Sequence, residues 1–191
     1  MVNLMLAPPS ETISTVRIDA MAELRVSELL QLLRHYHACY AKANVMPKLD
    51  SAFGVSLLNT YRSFLGGEYF PLKLTSRLDN RGLLFEILRS EGGGQVFFSL
   101  TKTGEVRGNH YHLRKVERFC VVSGNALIRL RRVGTLDTRE FHVSANDPSC
   151  IDIPVLHSHN IRNIGTDDLL TLFWSNEIFD PDDPDTYPEE V

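Results

Sequence analysis

The chain has 191 residues, 43% hydrophobic and 23% charged, which suits one compact domain plus an appendage, and no repeat or low-complexity segment is evident. A net charge of −4 argues against a nucleic-acid surface, because phosphate binding needs a concentrated basic patch. Cys39, Cys120 and Cys150 cannot all pair within the chain and lack Cys-x-x-Cys spacing, so they read as reduced thiols of a cytoplasmic protein.

The start, Met1 to Pro9, has no cationic region and too short an apolar run for a signal peptide or a membrane span, so no membrane association is expected. From Asp19 to Asn44, Met21, Leu24, Leu29, Leu32, Leu33, Tyr36 and Tyr40 recur at helical intervals, with Asp19 available as N-cap. Val45, Met46 and Pro47 break that helix. A second amphipathic run follows from Asp50 to Phe64 through Phe53, Leu57, Leu58 and Tyr61, giving an αα unit too small to bury its own core. After Gly66, Gly67 and Pro71 the pattern changes to short strands: Leu83 to Leu88, Gln95 to Leu100, Glu117 to Val122, Ala126 to Val133, Arg139 to Val143, His157 to Ile164 and Leu169 to Trp174. So many short strands at close spacing predict a mainly β fold, a jelly-roll barrel, with an N-terminal α-helical arm. The expected division is residues 1–70 for the arm and 71–191 for the barrel.

Between two of these strands lies the stretch richest in chemistry, Gly104 to Glu117, closed by Gly124. Alternate strand residues face one side, so His110 and His112 point together and Tyr111 points away. Glu117 has the opposite parity, and a turn through Leu113 to Val116 must bring it back. Imidazole and carboxylate suit zinc, iron, manganese and nickel. Farther along, His157, His159, Ile161 and Asn163 share one strand face, so two more histidines can enter the same cavity.

The two stretches resemble the paired motifs of the cupin superfamily. The first, G-x5-HxH-x4-E-x6-G, is met at Gly104, His110, His112, Glu117 and Gly124; the second is met at Pro154, His159 and Asn163, with Pro148 and Leu156 where the superfamily has glycine. That resemblance implies His110, His112, Glu117 and His159 as ligands of a divalent metal, zinc first, with iron, manganese and nickel as alternatives, and leaves His157 over.

A narrower resemblance is carried by Arg77 to Glu86, Gly94 to Ser99, Arg107 to His112, Phe173 to Pro181, Pro184 to Thr186 and the helical Leu58 to Ser63. These are similar to the C-terminal cupin domain of CapF-type capsular polysaccharide enzymes, the helical stretch resembling the segment that joins the two domains there. In that family a reductase domain precedes the cupin. This chain has no Gly-rich dinucleotide fingerprint, so no NAD(P) site is expected in it, and a separate reductase is an expected partner. The resemblance implies a nucleotide-sugar substrate and epimerisation at C3 of a UDP-linked 4-keto-6-deoxy-2-acetamido sugar, for capsule or O-antigen precursors.

Chemistry agrees with that implication. A C4 ketone acidifies the C3 hydrogen, so the reaction needs a base, an acid and something to stabilise the enolate. His157 and His112 suit the proton-carrying roles because imidazole titrates near neutrality, and Tyr111 and Lys115 are further candidates. Arg81, Arg107 and Lys115 match phosphate oxygens, with surface solvation as the simpler alternative for each. Asp79 either orients Arg81 or a histidine, or makes the turn in Asp-Asn-Arg-Gly. Cupin ketoisomerases of dTDP-sugars carry a similar Arg-Gly-x-His-x-His run, and there the histidines resemble proton carriers. Phe97, Phe98, Phe173 and Trp174 read as core, and Asp180 to Asp185 as a solvated tail. The competing functions are a metal-dependent cupin oxygenase and a non-catalytic sugar-binding or docking module. A homodimer is expected from exposed strand edges and the arm.

Overall fold

A computed structural model describes Ala20 and residues 22–191. Asp19 and Met21, read above as the start of the first helix, lie outside the described residues.

Helix α1 runs Val26–Tyr36 and continues through a π-helical turn, His37–Lys42. Its first turn is closed by Glu28, whose carboxylate accepts the Arg25 backbone N–H at 2.7 Å. Helix α2, Ala52–Ser63, is capped by Ser51, whose Oγ accepts from Gly54 N at 3.0 Å. Contrary to expectation, this small unit does bury a core: Tyr36, Cys39, Tyr40 and Leu58 pack together. What makes that sufficient is docking on the barrel, where Met46 N donates to Arg89 O at 2.8 Å and Glu91 N donates to Met46 O at 3.0 Å.

Eleven strands follow: β1 Ser76–Asp79, β2 Gly82–Ser90, β3 Gly94–Thr101, β4 Val106–Tyr111, β5 Glu117–Ser123, β6 Asn125–Arg132, β7 Thr138–Ser144, β8 Cys150–Ile153, β9 His157–Asn163, β10 Leu169–Ser175 and β11 Tyr187–Pro188. Each of the seven strands expected from the sequence is present within one or two residues; β4 contains the first of the two histidines read by strand alternation, and β1, β8 and β11 are additions too short to show a period. They form two antiparallel sheets, β1-β2-β3-β10-β5-β8 and β11-β4-β9-β6-β7, the jelly roll that the strand spacing predicted. Phe119, Val121, Ile128, Leu130, Val143, Ile161 and Leu169 fill the space between them, and each such burial stabilises by about 1.5–3 kcal/mol.

Two local features place side chains toward that interior. In β4 the register shifts between Gly108 and His110, with Asn109 in the left-handed region at φ 61°, so Arg107 pairs with Ile161 while His110 pairs with His159. Residues three apart on an even strand face opposite sides; this bulge puts Arg107 and His110 on the same one. In β3 and β10 the inward positions alternate Phe97, Ser99, Thr101 with Phe173, Thr171, Leu169, paired directly across the strands.

The acidic tail is solvated from Asp180 to Asp183, as expected, but not at Asp185. Asp185 is 2% exposed. Its carboxylate accepts the backbone N–H groups of Leu113, Arg114 and Lys115 at 3.1, 3.0 and 2.9 Å, which satisfies the turn between β4 and β5. The turn gains from a side chain about 70 positions away what a local cap supplies elsewhere. Asp185→Ala is expected to lower stability by about 3 kcal/mol, because charged hydrogen bonds are lost and three N–H groups are orphaned, with Asp185→Asn intermediate. Urea unfolding of the two variants checks this; a midpoint equal to the parent's for Asp185→Ala refutes it.

Candidate functional site

The turn that Asp185 holds sits between the two strands that supply the first ligand-type residues. His110 is the penultimate residue of β4, His112 follows the strand, and Glu117 opens β5 after the turn, so the carboxylate returns to the histidine side as its parity required. His159 comes from β9 and faces His110 directly. The imidazole centroids of His110 lie 4.9 Å from His112 and 4.5 Å from His159. One ligand atom from each of His110, His112, Glu117 and His159 lies within 4.8 Å of the others.

Hydrogen bonding fixes which ring nitrogens are available. His112 Nδ1 meets the carbonyl of Asp185, and His159 Nδ1 lies 3.4 Å from the carbonyl of His157. A carbonyl only accepts, so both Nδ1 atoms carry hydrogen and both Nε2 atoms, in the neutral rings, present lone pairs. Those lone pairs point at a group that also only accepts: Glu117 Oε2 is 3.0 Å from His112 Nε2 and 3.4 Å from His159 Nε2. His159 Nε2 is buried and makes no hydrogen bond. Two lone pairs facing a carboxylate are stable only with a cation between them, either a proton or a metal ion. The donor set, three imidazole nitrogens and one carboxylate, with each fixed imidazole backed by a carbonyl, fits a divalent metal.

The charges respond to this crowding. Burial pushes the His110 pKa down to about 4, aided by His159 and His112 beside it, so this ring is neutral at pH 7. Burial also opposes the His112 imidazolium, but the bond to Glu117 outweighs it and raises the His112 pKa. Glu117 is pushed up by burial and held well below the ordinary carboxylate range by its contacts with His112 and His159.

The cluster opens on a cavity of about 230 Å³ between the sheets, lined by His110 and Glu117 together with Ser99, Thr171, Phe119 and Phe173. Arg107 lines the same cavity from the same face of β4 as His110. Its Nε donates to Thr101 Oγ1 at 3.1 Å, and its Nη2, 3.7 Å from Asp79 Oδ1, is buried without a hydrogen-bond partner. Arg81 lies at the same cavity, gripped by Asp79 through its Nε at 3.1 Å and its Nη2 at 2.6 Å. Asp79 thus both orients Arg81 and makes the turn, since Oδ1 accepts from Arg81 N at 2.9 Å.

Three sequence candidates are not brought to this cavity. Tyr111 faces away and stacks on Tyr187 at 5.2 Å. Lys115 is buried, with Nζ donating to the Pro184 carbonyl and lying 5.4 Å from the Phe179 ring. His157 Nδ1 donates to Val155 O at 3.0 Å, and the ring is absent from the cavity lining. His157 keeps the strand face shared with His159, but it sits at the strand's first residue, one pleat beyond the cluster. Sequence reasoning passed over Ser99 and Thr171, although hydroxyls alternating with Phe on paired strands are a legible sign of a partly polar interior. Phe173, read as core, packs against the core cluster, and both it and Phe97, which stacks on it, also line cavities.

The polysaccharide biosynthesis C-terminal domain family matches residues 77–187. A crystal structure of CapF with the inhibitor 3-isopropenyl-tropolone superposes with a TM-score of 0.78 at 39% identity, over 87% of this chain and 48% of that one. CapF from Staphylococcus aureus, a capsular polysaccharide assembling protein, gives 0.75 at 39% identity, over 86% and 47%. A UDP-2-acetamido-2,6-beta-L-arabino-hexul-4-ose reductase of Pseudomonas aeruginosa is 30% identical over 173 residues, 91% of this chain and 46% of the relative. The chain therefore spans about half the length of these relatives. No described helix is long and apolar enough to cross a membrane. With a cupin jelly roll, the helical arm and the matched stretch all in agreement, the chain belongs to the polysaccharide biosynthesis C-terminal domain family, the cupin part of CapF-type proteins.

Proposed function

We propose that the chain is a nucleotide-sugar epimerase domain acting at C3 of a UDP-linked 4-keto-6-deoxy-2-acetamido sugar. One observation carries the reading: a His₃Glu cluster that requires a cation opens on a cavity that is also lined by Arg107, whose buried Nη2 makes no hydrogen bond. The names of the relatives, a UDP-hexulose reductase and CapF, support the substrate class. The reductase half is assigned to a separate protein or segment, and the site to the cytoplasm, where nucleotide sugars are made. Exposed Leu78, Leu88 and Val122 on the larger sheet favour pairing with a second copy.

In this reading His112, Glu117 and His159 hold a divalent ion, zinc first, and His110 completes the set or moves the proton. Such an ion supplies Lewis-acid polarisation of a ketone oxygen and lowers the pKa of a bound water. Arg107 Nη2 donates to the substrate oxygen that gains charge as the C3 proton leaves. The hydroxyls of Ser99 and Thr171 orient the ring, and Phe119, Phe173 and Ile161 exclude water, which strengthens each of these contacts. His110 is the neutral base nearest the sugar, with its pKa at about 4. Tyr111, Lys115 and His157 have no part in this version of the mechanism.

The decisive experiment incubates the protein with the 4-keto sugar nucleotide in deuterated water and follows deuterium at C3. Exchange is expected in the metal-loaded protein and a loss of at least 100-fold in Arg107→Ala, since removing a donor aimed at developing charge costs that order. Absence of exchange under every metal condition rejects the epimerase reading. His159→Ala is expected to lose both bound metal and exchange. His110→Ala separates its two roles: metal retained with exchange lost assigns the proton to His110, and loss of both makes it a ligand.

Acid should destabilise the metal-stripped protein before Glu117 titrates. A histidine whose folded pKa is about 4 binds its proton less readily than in the unfolded chain at 6.5, so its contribution is full above pH 6.5 and fades toward pH 4. The expected loss is roughly 3 kcal/mol across that window. His112, raised when folded, acts oppositely and fades as pH rises through its folded pKa, while Glu117, lowered, contributes until pH falls below its ordinary range. Thermal melts of the stripped protein from pH 7 to 4.5 should decline, and those of His110→Gln should be flatter; matching slopes contradict the buried neutral imidazole.

A further inference from the structure

The inner cavity adjoins a second, outer groove of about 450 Å³ on the side of the helical arm; Leu84 and Phe173 line both. The outer groove lies between the barrel and the arm, whose Ala43 and Asn44 wall it. Its charge is positive: Lys73, Arg77 and Arg89 line it against one carboxylate, Glu86, and Arg89 is bound to Glu86. Lys73 and Arg77 make no ion pair among the described residues. Strand geometry aims Arg77 inward, since it faces Leu84 across the β1 and β2 pair and Leu84 reaches both cavities. At the same parity one step on stands Asp79, which holds Arg81 and lies beside Arg107, so cations follow one line from the outer groove to the catalytic wall. The outer groove is also lined by Phe97 and Phe179.

We propose that this outer groove seats the nucleoside diphosphate half of the substrate. The phosphates lie on Lys73 and Arg77, the base lies against the phenyl rings, and the sugar passes Leu84 and Phe173 to reach Arg107 and the cluster. The proposal rests on the nucleotide-sugar reading above. It relocates the diphosphate from Lys115, which is turned to the Pro184 carbonyl, and it makes the arm a wall of the binding site.

Titration calorimetry of the full chain with UDP tests it without reference to turnover. Arg77→Ala and Lys73→Ala should each weaken UDP binding about tenfold, because each removes a charged contact to phosphate. The double variant should be weaker still, and Arg139→Ala, on the other sheet, should match the parent. Metal-stripped protein should bind UDP as well as the loaded form, since the phosphates lie outside the inner cavity. The proposal is overturned if a double variant with parental circular dichroism binds UDP normally, if the parent does not bind UDP, or if Arg107→Ala abolishes binding while Arg77→Ala does not. UDP bound in the outer groove with no deuterium exchange at C3 removes the epimerase reading and leaves this site standing.

Discussion

The site depends on a single aspartate from the far end of the chain. Asp185 contributes both of its acceptors at once: the carboxylate takes the three N–H groups of the β4–β5 turn, and its backbone carbonyl takes His112 Nδ1. The first contact decides where Glu117 emerges, because that turn alone reverses its parity. The second decides which nitrogen of His112 faces the cluster. Burial raises the cost of the Asp185 charge, yet the N–H groups of Arg114, Lys115 and Leu113 outweigh it and lower its pKa, so the strap stays ionised. Tail and ligand geometry are therefore one construction. β11 extends it by pairing Tyr187 with Tyr111 and Pro188 with His110.

A second constraint is the bulge at Asn109. The side-chain amide of Asn160 donates to Asn109 Oδ1 at 2.7 Å, and the Asn109 carbonyl accepts from Glu189 N at 3.0 Å, so the extra residue is tied on both sides. Left-handed backbone costs a non-glycine residue about 1–2 kcal/mol, and asparagine bears it more easily than most. What the cost secures is the shared orientation of Arg107 and His110. Without the bulge, the guanidinium would leave the cavity for the outer face, and the cluster would have no guanidinium beside it.

The fold was legible in the sequence wherever a pattern repeats. Seven strands and two helices follow from period, and the HxH pair from strand alternation. The misreadings share a cause, which is that a partner distant in sequence decides the outcome. Asp185 sits in a run of aspartates and prolines whose composition says solvent, and only the turn it meets, about 70 residues earlier, makes it structural. The arm looked too small for a core because its docking on Arg89 and Glu91 belongs to another element. Leu156 shows the converse. It stands where the superfamily has glycine and still adopts φ 58°, so the departure changed the side chain and not the backbone path that delivers His159. Lys115 and His157 carry suitable chemistry, but the turn and the strand end direct it elsewhere.

The arrangement of charge is what makes an electron-accepting carbonyl the substrate proposed for this interior. His112, His159 and Glu117 require a cation among them. Arg107, on the same strand face as His110, keeps a positive charge that burial disfavours and that Asp79, at 3.7 Å, only partly offsets. An unpartnered guanidinium nitrogen and the buried hydroxyl of Thr171, both at the cavity, each cost on the order of 1–3 kcal/mol while unsatisfied. A ligand that brings oxygen atoms relieves those costs, and one whose oxygen grows more negative relieves them further. Under the proposed function, the difference between those two cases is transition-state stabilisation, supplied in a cavity of about 230 Å³ by Arg107 and by the cation the cluster would hold.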